Sequence, residues 1–388
     1  MGTKIFDTIV VGLGGMGSSA LYELARTGQN VLGLEQFTIP HERGSSHGLS
    51  RIIRMAYFEH PSYIPLLKRA YDLWRQLEKE SSEELLISTG SIDASYPGMK
   101  VFEGALESCK KYQLNHDILD FKSLSNRFPG YQLPEGMRAL FQPQGGFLVP
   151  EKAISEYVRL AKFKGAKVSE EEKVIDLERD SQGMRVTTSK NFYLAKNVVI
   201  TAGAWIGKLF PELASFAIPE RQVMGWFRPY NKKIYGPDHF PVFNLLVDEG
   251  HFYGFPSIFD TGFKIGKYHH LKEKADPNNL DIGINRRDEE TLRECMRKYF
   301  PEANGDLLSA KACMFTNTPD GHFIVEKHDD WPVVIAGGFS GHGYKFCSVV
   351  GEIIADLISR GECDFNIELF SSHRFSREKQ RAVPYSSF

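Results

Sequence analysis

Disulfides, zinc frameworks and membrane spans are all missing from this sequence. It has five cysteines in 388 residues: Cys109, Cys295, Cys313, Cys347 and Cys363. They are scattered and none is spaced as CxxC, which excludes a disulfide scaffold or a zinc ribbon. A reducing, cytoplasmic setting is therefore expected. No apolar run approaches the ~20 residues that a bilayer span needs, so no membrane association is expected. A net charge of -2 leaves no basic footprint for nucleic acid or an anionic lipid surface. The opening MGTKIFDTIVVGLGG runs at once into a strand and has no signal-peptide layout. The closing VPYSSF is not a peroxisomal address. Repeats and low-complexity segments are lacking too. The adjacent His269 and His270 do not have a chelating spacing, and no metal site is expected. What remains is an ordinary globular composition, 42% hydrophobic and 25% charged, long enough for two domains.

The first chemical signal is FDTIVVGLGGMGSSALYELARTGQNVLGLEQF. Ile9, Val10 and Val11 form the β-branched run of a buried parallel strand. Gly12, Gly14 and Gly17 follow as G-x-G-x-x-G: one for the tight turn, one for approach to a pyrophosphate, one for close helix packing. The helix after them aims its N-terminal amides at the phosphates. A second strand, Val31–Leu34, ends at Glu35, where an acidic side chain accepts ribose hydroxyls. A lone glycine triplet is often only a turn. The full strand–turn–helix–strand–Glu layout points to FAD or NAD, and the acidic strand end disfavours NADP.

The next stretch, PHERGSSHGLSRIIRMAYFEHPSY, carries Arg51 and Arg54 three apart. In a helical turn they share a face; in an extended segment they point opposite ways. Such a pair is usually a solvated basic surface. Here the flanks are apolar, so at least one guanidinium enters a pocket, where it needs an anionic partner. A substrate carboxylate suits its planar fork.

With VVGLGGMG, NVVITAGAW, YGFP, FKIGKYHH, ACMFTNTPDGHFIVEKH and GGFSGHGYKF added, in this order along nearly the whole chain, the sequence resembles the flavoproteins of the monomeric sarcosine oxidase and N-methyltryptophan oxidase family. The resemblance implies an α/β (mixed α+β) protein with a Rossmann-like FAD domain and a second, mixed-sheet substrate domain. Residues 1–81, 150–210 and 320–388 are expected in the first, and 82–149 and 211–319 in the second. It implies FAD held covalently through a thioether at Cys313, a residue that by itself reads as a small buried hydrophobe. It places Ser45, His47, Arg51, Val174 and Gly203 on the cofactor, with Gly338, Gly341 and Gly343 letting backbone approach the flavin ring. It sets Arg54 and Lys345 on the substrate carboxylate, with Lys345 also on the cofactor from the GGFSGHGYKF loop and Arg51 among the catalytic residues, and Lys264 over the flavin, where it promotes reaction with oxygen. Strand alternation alone would turn Lys264 to solvent, between Phe263 and Ile265, and Lys267 competes for the role. His269 or Tyr268 matches the family's pocket histidine. Tyr253 and Phe255 are expected to line the cavity. Phe315 stands where the family often has tyrosine.

The implied reaction is oxidation of a secondary amino acid such as sarcosine to the primary amino acid and formaldehyde, with oxygen reduced to hydrogen peroxide, by a monomer. N-methyltryptophan, a cyclic imino acid such as pipecolate or proline, and a dehydrogenase with another acceptor stay open as alternatives. So does a flavin-binding subunit without turnover, though such a subunit needs no carboxylate clamp. Elsewhere, DEETLRECMRKYFP reads as an amphipathic helix with Leu292, Cys295, Met296 and Tyr299 on one face. The polar tail SREKQRAVPYSSF is expected to be loosely held.

Overall fold

The computed structural model describes residues 5–378; the last ten residues of the polar tail lie outside them. The first strand, Ile5–Val11, pairs in parallel with Val31–Leu34 on one side and Phe192–Ile200 on the other. Lys167–Ser169 extends the sheet at one end, and Val333–Gly337 and Ile324–Lys327 extend it at the other. An antiparallel hairpin, Val174–Asp180 with Gly183–Thr188, joins the early part of Phe192–Ile200 and completes eight strands. Ile9, Val10, Val198, Val199 and Ile200 are all fully buried, as a parallel sheet covered on both faces requires. The helices Gly15–Arg26 and Cys347–Ser359 cover one face together; Cys347 packs against Gly15 in this core.

A second eight-stranded sheet runs, in spatial order, Leu307–Asn317, Ile218–Phe227, Phe263–Lys267, Gly250–Phe255, Val242–Val247, Ser91–Ser95, Arg138–Gln142 and Asp117–Asp120. Its outer face packs on the helix Arg286–Tyr299, which buries Leu292, Cys295, Met296 and Tyr299. Asn285 closes the start of that helix with a capping box to Asp288. The inner face is set by register. Cys313 stands opposite Gln222, Trp226 opposite Lys264, Lys264 opposite Phe255, Tyr253 opposite Asn244, and Asn244 opposite Asp93. Side chains repeat every two residues, so this pairing gathers Cys313, Lys264, Tyr253, Asn244 and Asp93 on one surface.

A three-stranded sheet, with Gly146–Leu148 between Arg51–Ile53 and Leu86–Ser88, lies between the two large sheets in the chain path. It decides the geometry left open for the arginine pair: the segment is extended, so Arg51 and Arg54 go separate ways. Among the described residues no helix is long and apolar enough to cross a membrane.

Candidate active site

A cavity of about 570 Å³ runs from the first glycine turn to the GGFSGHG loop. Gly12 holds φ +88°, open to glycine at little cost, and its amide donates to Leu34 O at 2.8 Å. A Cβ on Gly17 would lie 1.8 Å from Gly12 O, so helix and turn touch there as the fingerprint requires. A Cβ on Gly14 would meet nothing nearer than Ser46 Oγ at 3.9 Å; room is kept at the helix N-terminus. Glu35 closes the turn: Oε2 accepts from the Leu13 amide at 2.8 Å and Oε1 from the Phe37 amide at 3.1 Å. A carboxylate has about four acceptor positions, so capacity is left for ribose hydroxyls.

Of the residues expected on the cofactor, Gly12, Gly14, Glu35, Ser45, Arg51, Val174, Gly203, Gly338, Gly341 and Gly343 line this cavity. Gly17, His47, Cys313 and Lys345 do not line it themselves. Gly17 is used in packing. His47 is buried with both ring nitrogens unpartnered. Burial, then the charge of Arg51, hold it neutral, with its pKa down to about 3. On the strand Leu307–Asn317, Met314, Phe315 and Thr316 reach the cavity, while the Cys313 thiol packs with Met224 and Trp226. Burial pushes that thiol's pKa up; Arg51 and Lys264 pull against it. The open space at Gly14 and the spare acceptors of Glu35 suit a dinucleotide, and the unpartnered His47 nitrogens would be available to its polar groups. The residues present fit FAD.

Lys264 is 2% exposed. Its Nζ contacts Gly48 O at 2.7 Å, Ser50 O at 2.9 Å and Ser50 Oγ at 3.1 Å, and lies 4.4 Å from the centre of the Phe255 ring. Alternation misleads here because both faces of this sheet are covered. Burial drives its pKa well below the usual lysine range. Lys267 is half-buried over Phe252, away from these groups.

Arg54 is also buried, but its anionic partners come from the chain. One guanidinium nitrogen donates to Glu59 Oε1 and Oε2 at 2.9 and 2.8 Å, another donates to Ala56 O, and Nε is 3.6 Å from Asp93 Oδ1. In this structure the fork expected to meet a substrate carboxylate is held by Glu59. Burial raises the Glu59 pKa, but Arg54, with His342 and Lys345, outweighs this and holds the carboxyl at about 2. Asp93 goes the other way. Burial dominates the pull of Arg54 and raises it to about 6. Its Oδ1 accepts from Asn244 at 3.0 Å, and Oδ2 has no partner.

Lys345 lies beside this group, its Nζ donating to His342 O at 2.7 Å. Burial, then Arg54, lower its pKa to about 7. The structure thus brings Lys345 and Arg54 together from opposite ends of the chain. It does not bring His269 to them. His269 sits at φ +52°, half-exposed, with Nδ1 3.0 Å from Glu220 Oε1. Tyr268 takes the inner position, stacked on His251 at 4.4 Å and packed on Tyr253 and Phe315 at 5.2 and 5.7 Å. Phe315 lines the cavity and packs on Tyr268, which also feels Glu59, Arg54 and Asp93, so the aromatic cluster adjoins both the cavity and the charged group. Gly341, at φ +77°, lies against Phe315; a Cβ there would sit 2.4 Å from its ring.

Residues 7–357 match the family model described as FAD dependent oxidoreductase, DAO. A monomeric sarcosine oxidase from Bacillus sp. (strain NS-129) is 39% identical over 381 residues, covering 97% of this chain and 98% of that protein. An N-methyl-L-tryptophan oxidase from Citrobacter koseri is 33% identical, with 96% and 100% covered. Among solved structures, an L-proline dehydrogenase from P. horikoshii superposes with a TM-score of 0.83 at 23% identity, over 97% of this chain and 99% of that one, which is a likeness of fold. The chain belongs to the FAD-dependent oxidoreductase family and, within it, to the amine oxidases grouped around monomeric sarcosine oxidase and N-methyl-L-tryptophan oxidase.

Proposed function

We propose that this protein oxidises an N-methyl amino acid such as sarcosine. Substrate, oxygen and water give the primary amino acid, formaldehyde and hydrogen peroxide. FAD, when bound, accepts two electrons from the substrate and yields them to oxygen. The chain supplies binding, orientation and a water-poor enclosure. The observation that carries this reading is the meeting of Arg54 and Lys345 over one ring, Tyr57, beside the aromatic cluster that adjoins the cavity. Lys345 donates one hydrogen bond within the protein and has capacity for a carboxylate. Arg54 takes part when the incoming carboxylate replaces Glu59 on its fork. Tyr253, Tyr268 and Phe315 enclose the methylamine end. Lys264 stands where a cation, once protonated, favours electron transfer to oxygen.

The cofactor is linked at Cys313. Support comes from its place on the inner sheet face with Lys264 and from the two nearby cations, which favour the thiolate that any such link needs. The enzyme acts as a monomer in a reducing compartment; its similarity to monomeric sarcosine oxidases and its five free cysteines support this. The test is product stoichiometry with sarcosine and its N-methyl homologues. Formaldehyde, peroxide and oxygen consumed should stand one to one to one. Turnover with an artificial acceptor but no oxygen uptake would contradict the oxidase reading.

A further inference from the structure

We propose that Tyr57 and His342 are a positioning pair that sets the geometry of the carboxylate site, with the Tyr57 ring as the element shared by its two cations. The inference rests on the carboxylate reading above and names a device that the reading does not contain.

Tyr57 is fully buried. The Arg54 guanidinium carbon lies 4.6 Å from the centre of its ring and Lys345 Nζ 5.1 Å from the same centre. Two like charges this close repel in a dry site. An aromatic face attracts both, so one ring offsets part of the repulsion and fixes where each cation rests. The ring must then be held. His342 Nε2 is 2.9 Å from Gly321 O, an acceptor only, so Nε2 carries the proton. Nδ1 is then the acceptor, and the Tyr57 hydroxyl donates to it at 2.5 Å. The carbonyl of the same His342 accepts from Lys345 Nζ. One residue therefore anchors the ring through its side chain and the lysine through its backbone. On the other side, Ser108 Oγ donates to Tyr57 O at 2.6 Å and pins the backbone. The hydroxyl itself points to His342, so it is engaged with the scaffold and does not serve as a substrate contact. The role is spacing: with the ring fixed, both cations keep positions from which one carboxylate can bridge them.

The experiment titrates flavin absorbance of the holoenzyme with methylthioacetate and with its uncharged amide, 2-(methylthio)acetamide. Tyr57→Phe keeps the ring and loses its tether, so methylthioacetate should weaken about tenfold, the scale of one buried hydrogen bond, while the amide changes less than about twofold. His342→Leu should behave in the same way. His342→Asn, whose amide oxygen can stand in for Nδ1, should restore most of the loss. That rescue keeps the inference testable if Tyr57→Phe proves unstable. Equal weakening of both ligands, or wild-type affinity for methylthioacetate in Tyr57→Phe and His342→Leu, would overturn the positioning role. Lys345→Met separates the two readings. If it binds methylthioacetate as tightly as wild type, the carboxylate site itself is wrong. If it loses affinity and the Tyr57 and His342 variants do not, only the spacing inference fails.

Discussion

Replacing Asp93 by asparagine should make the protein more stable at pH 7.5, although it removes a carboxylate from an arginine. Asp93 is 0% exposed and shares Arg54 with Glu59, which already grips the guanidinium with both oxygens. Its folded pKa, raised by burial to about 6, lies above the ordinary 3.8. A carboxyl raised in this way binds a proton more tightly folded than unfolded. It therefore costs stability above pH ~6, and the cost fades as pH falls from 6 towards 4. Two units correspond to ~3 kcal/mol at most, and 1–3 kcal/mol is the expected gain on removing the charge. Unfolding entropy of roughly 2.1 cal/mol/K per residue turns ~3 kcal/mol into a rise of ~3–4 °C in Tm for a chain of this length. Asparagine is isosteric and keeps an acceptor for Asn244. Glu59 has the opposite sign: held at about 2, it stabilises above pH ~4.5 and loses this only as pH falls towards 2. Its contribution is thus constant over the range that tests Asp93. Thermal unfolding of holoenzyme at pH 7.5 and at pH 4.5 is the assay. An Asp93→Asn protein less stable than wild type at pH 7.5, or an advantage that is the same at both pH values, would refute the reasoning.

Other outcomes follow from the same geometry. Acid-precipitated wild type should stay yellow, whereas Cys313→Ala should release its flavin on denaturation; free FAD from acid-treated wild type would contradict the linkage. Lys264→Met removes one donor from each of the Gly48 and Ser50 carbonyls, which keep the Ser50 amide and the Arg51 guanidinium, and should slow reoxidation by oxygen roughly a thousandfold, ~4 kcal/mol, with a much smaller effect on anaerobic reduction. Equal slowing of both half-reactions in stopped flow would remove its role toward oxygen. Lys345→Met should weaken a carboxylate inhibitor by about 1.5–3 kcal/mol, seen in a flavin titration. Arg54→Ala should do likewise and also unfold earlier, by about 3–5 kcal/mol, because Glu59 and Asp93 are left buried without their cation.

The cofactor cavity was largely legible in the sequence, since its turn chemistry is local. Gly12, Gly17 and Glu35 act within one strand–helix–strand unit, where spacing translates directly into geometry. The charged group was legible in part. Arg54 announced a buried cation, but its partners did not announce themselves. Glu59 lies just past an apolar stretch with no periodic signal, and Asp93 comes from a distant strand whose register across Asn244 is a tertiary fact. Lys264 misled alternation because both faces of its sheet are covered. Tyr268 and His269 could not be told apart, because the strand ends at Lys267 and the chain then turns through a positive φ at His269. Past a strand end, a period of two carries no information.

The central claim is that an N-methyl amino acid gives its electrons to flavin held in this cavity, with Arg54 and Lys345 on its carboxylate. Anaerobic mixing of holoenzyme with sarcosine and a panel of N-methyl amino acids tests it most directly. The account predicts bleaching of the flavin band by at least one member of the panel, none by the matching N-methyl amine without a carboxylate, and recovery of the band on admitting oxygen. A flavin that stays oxidised with every N-methyl amino acid, or that the carboxylate-free amine reduces equally fast, would contradict it.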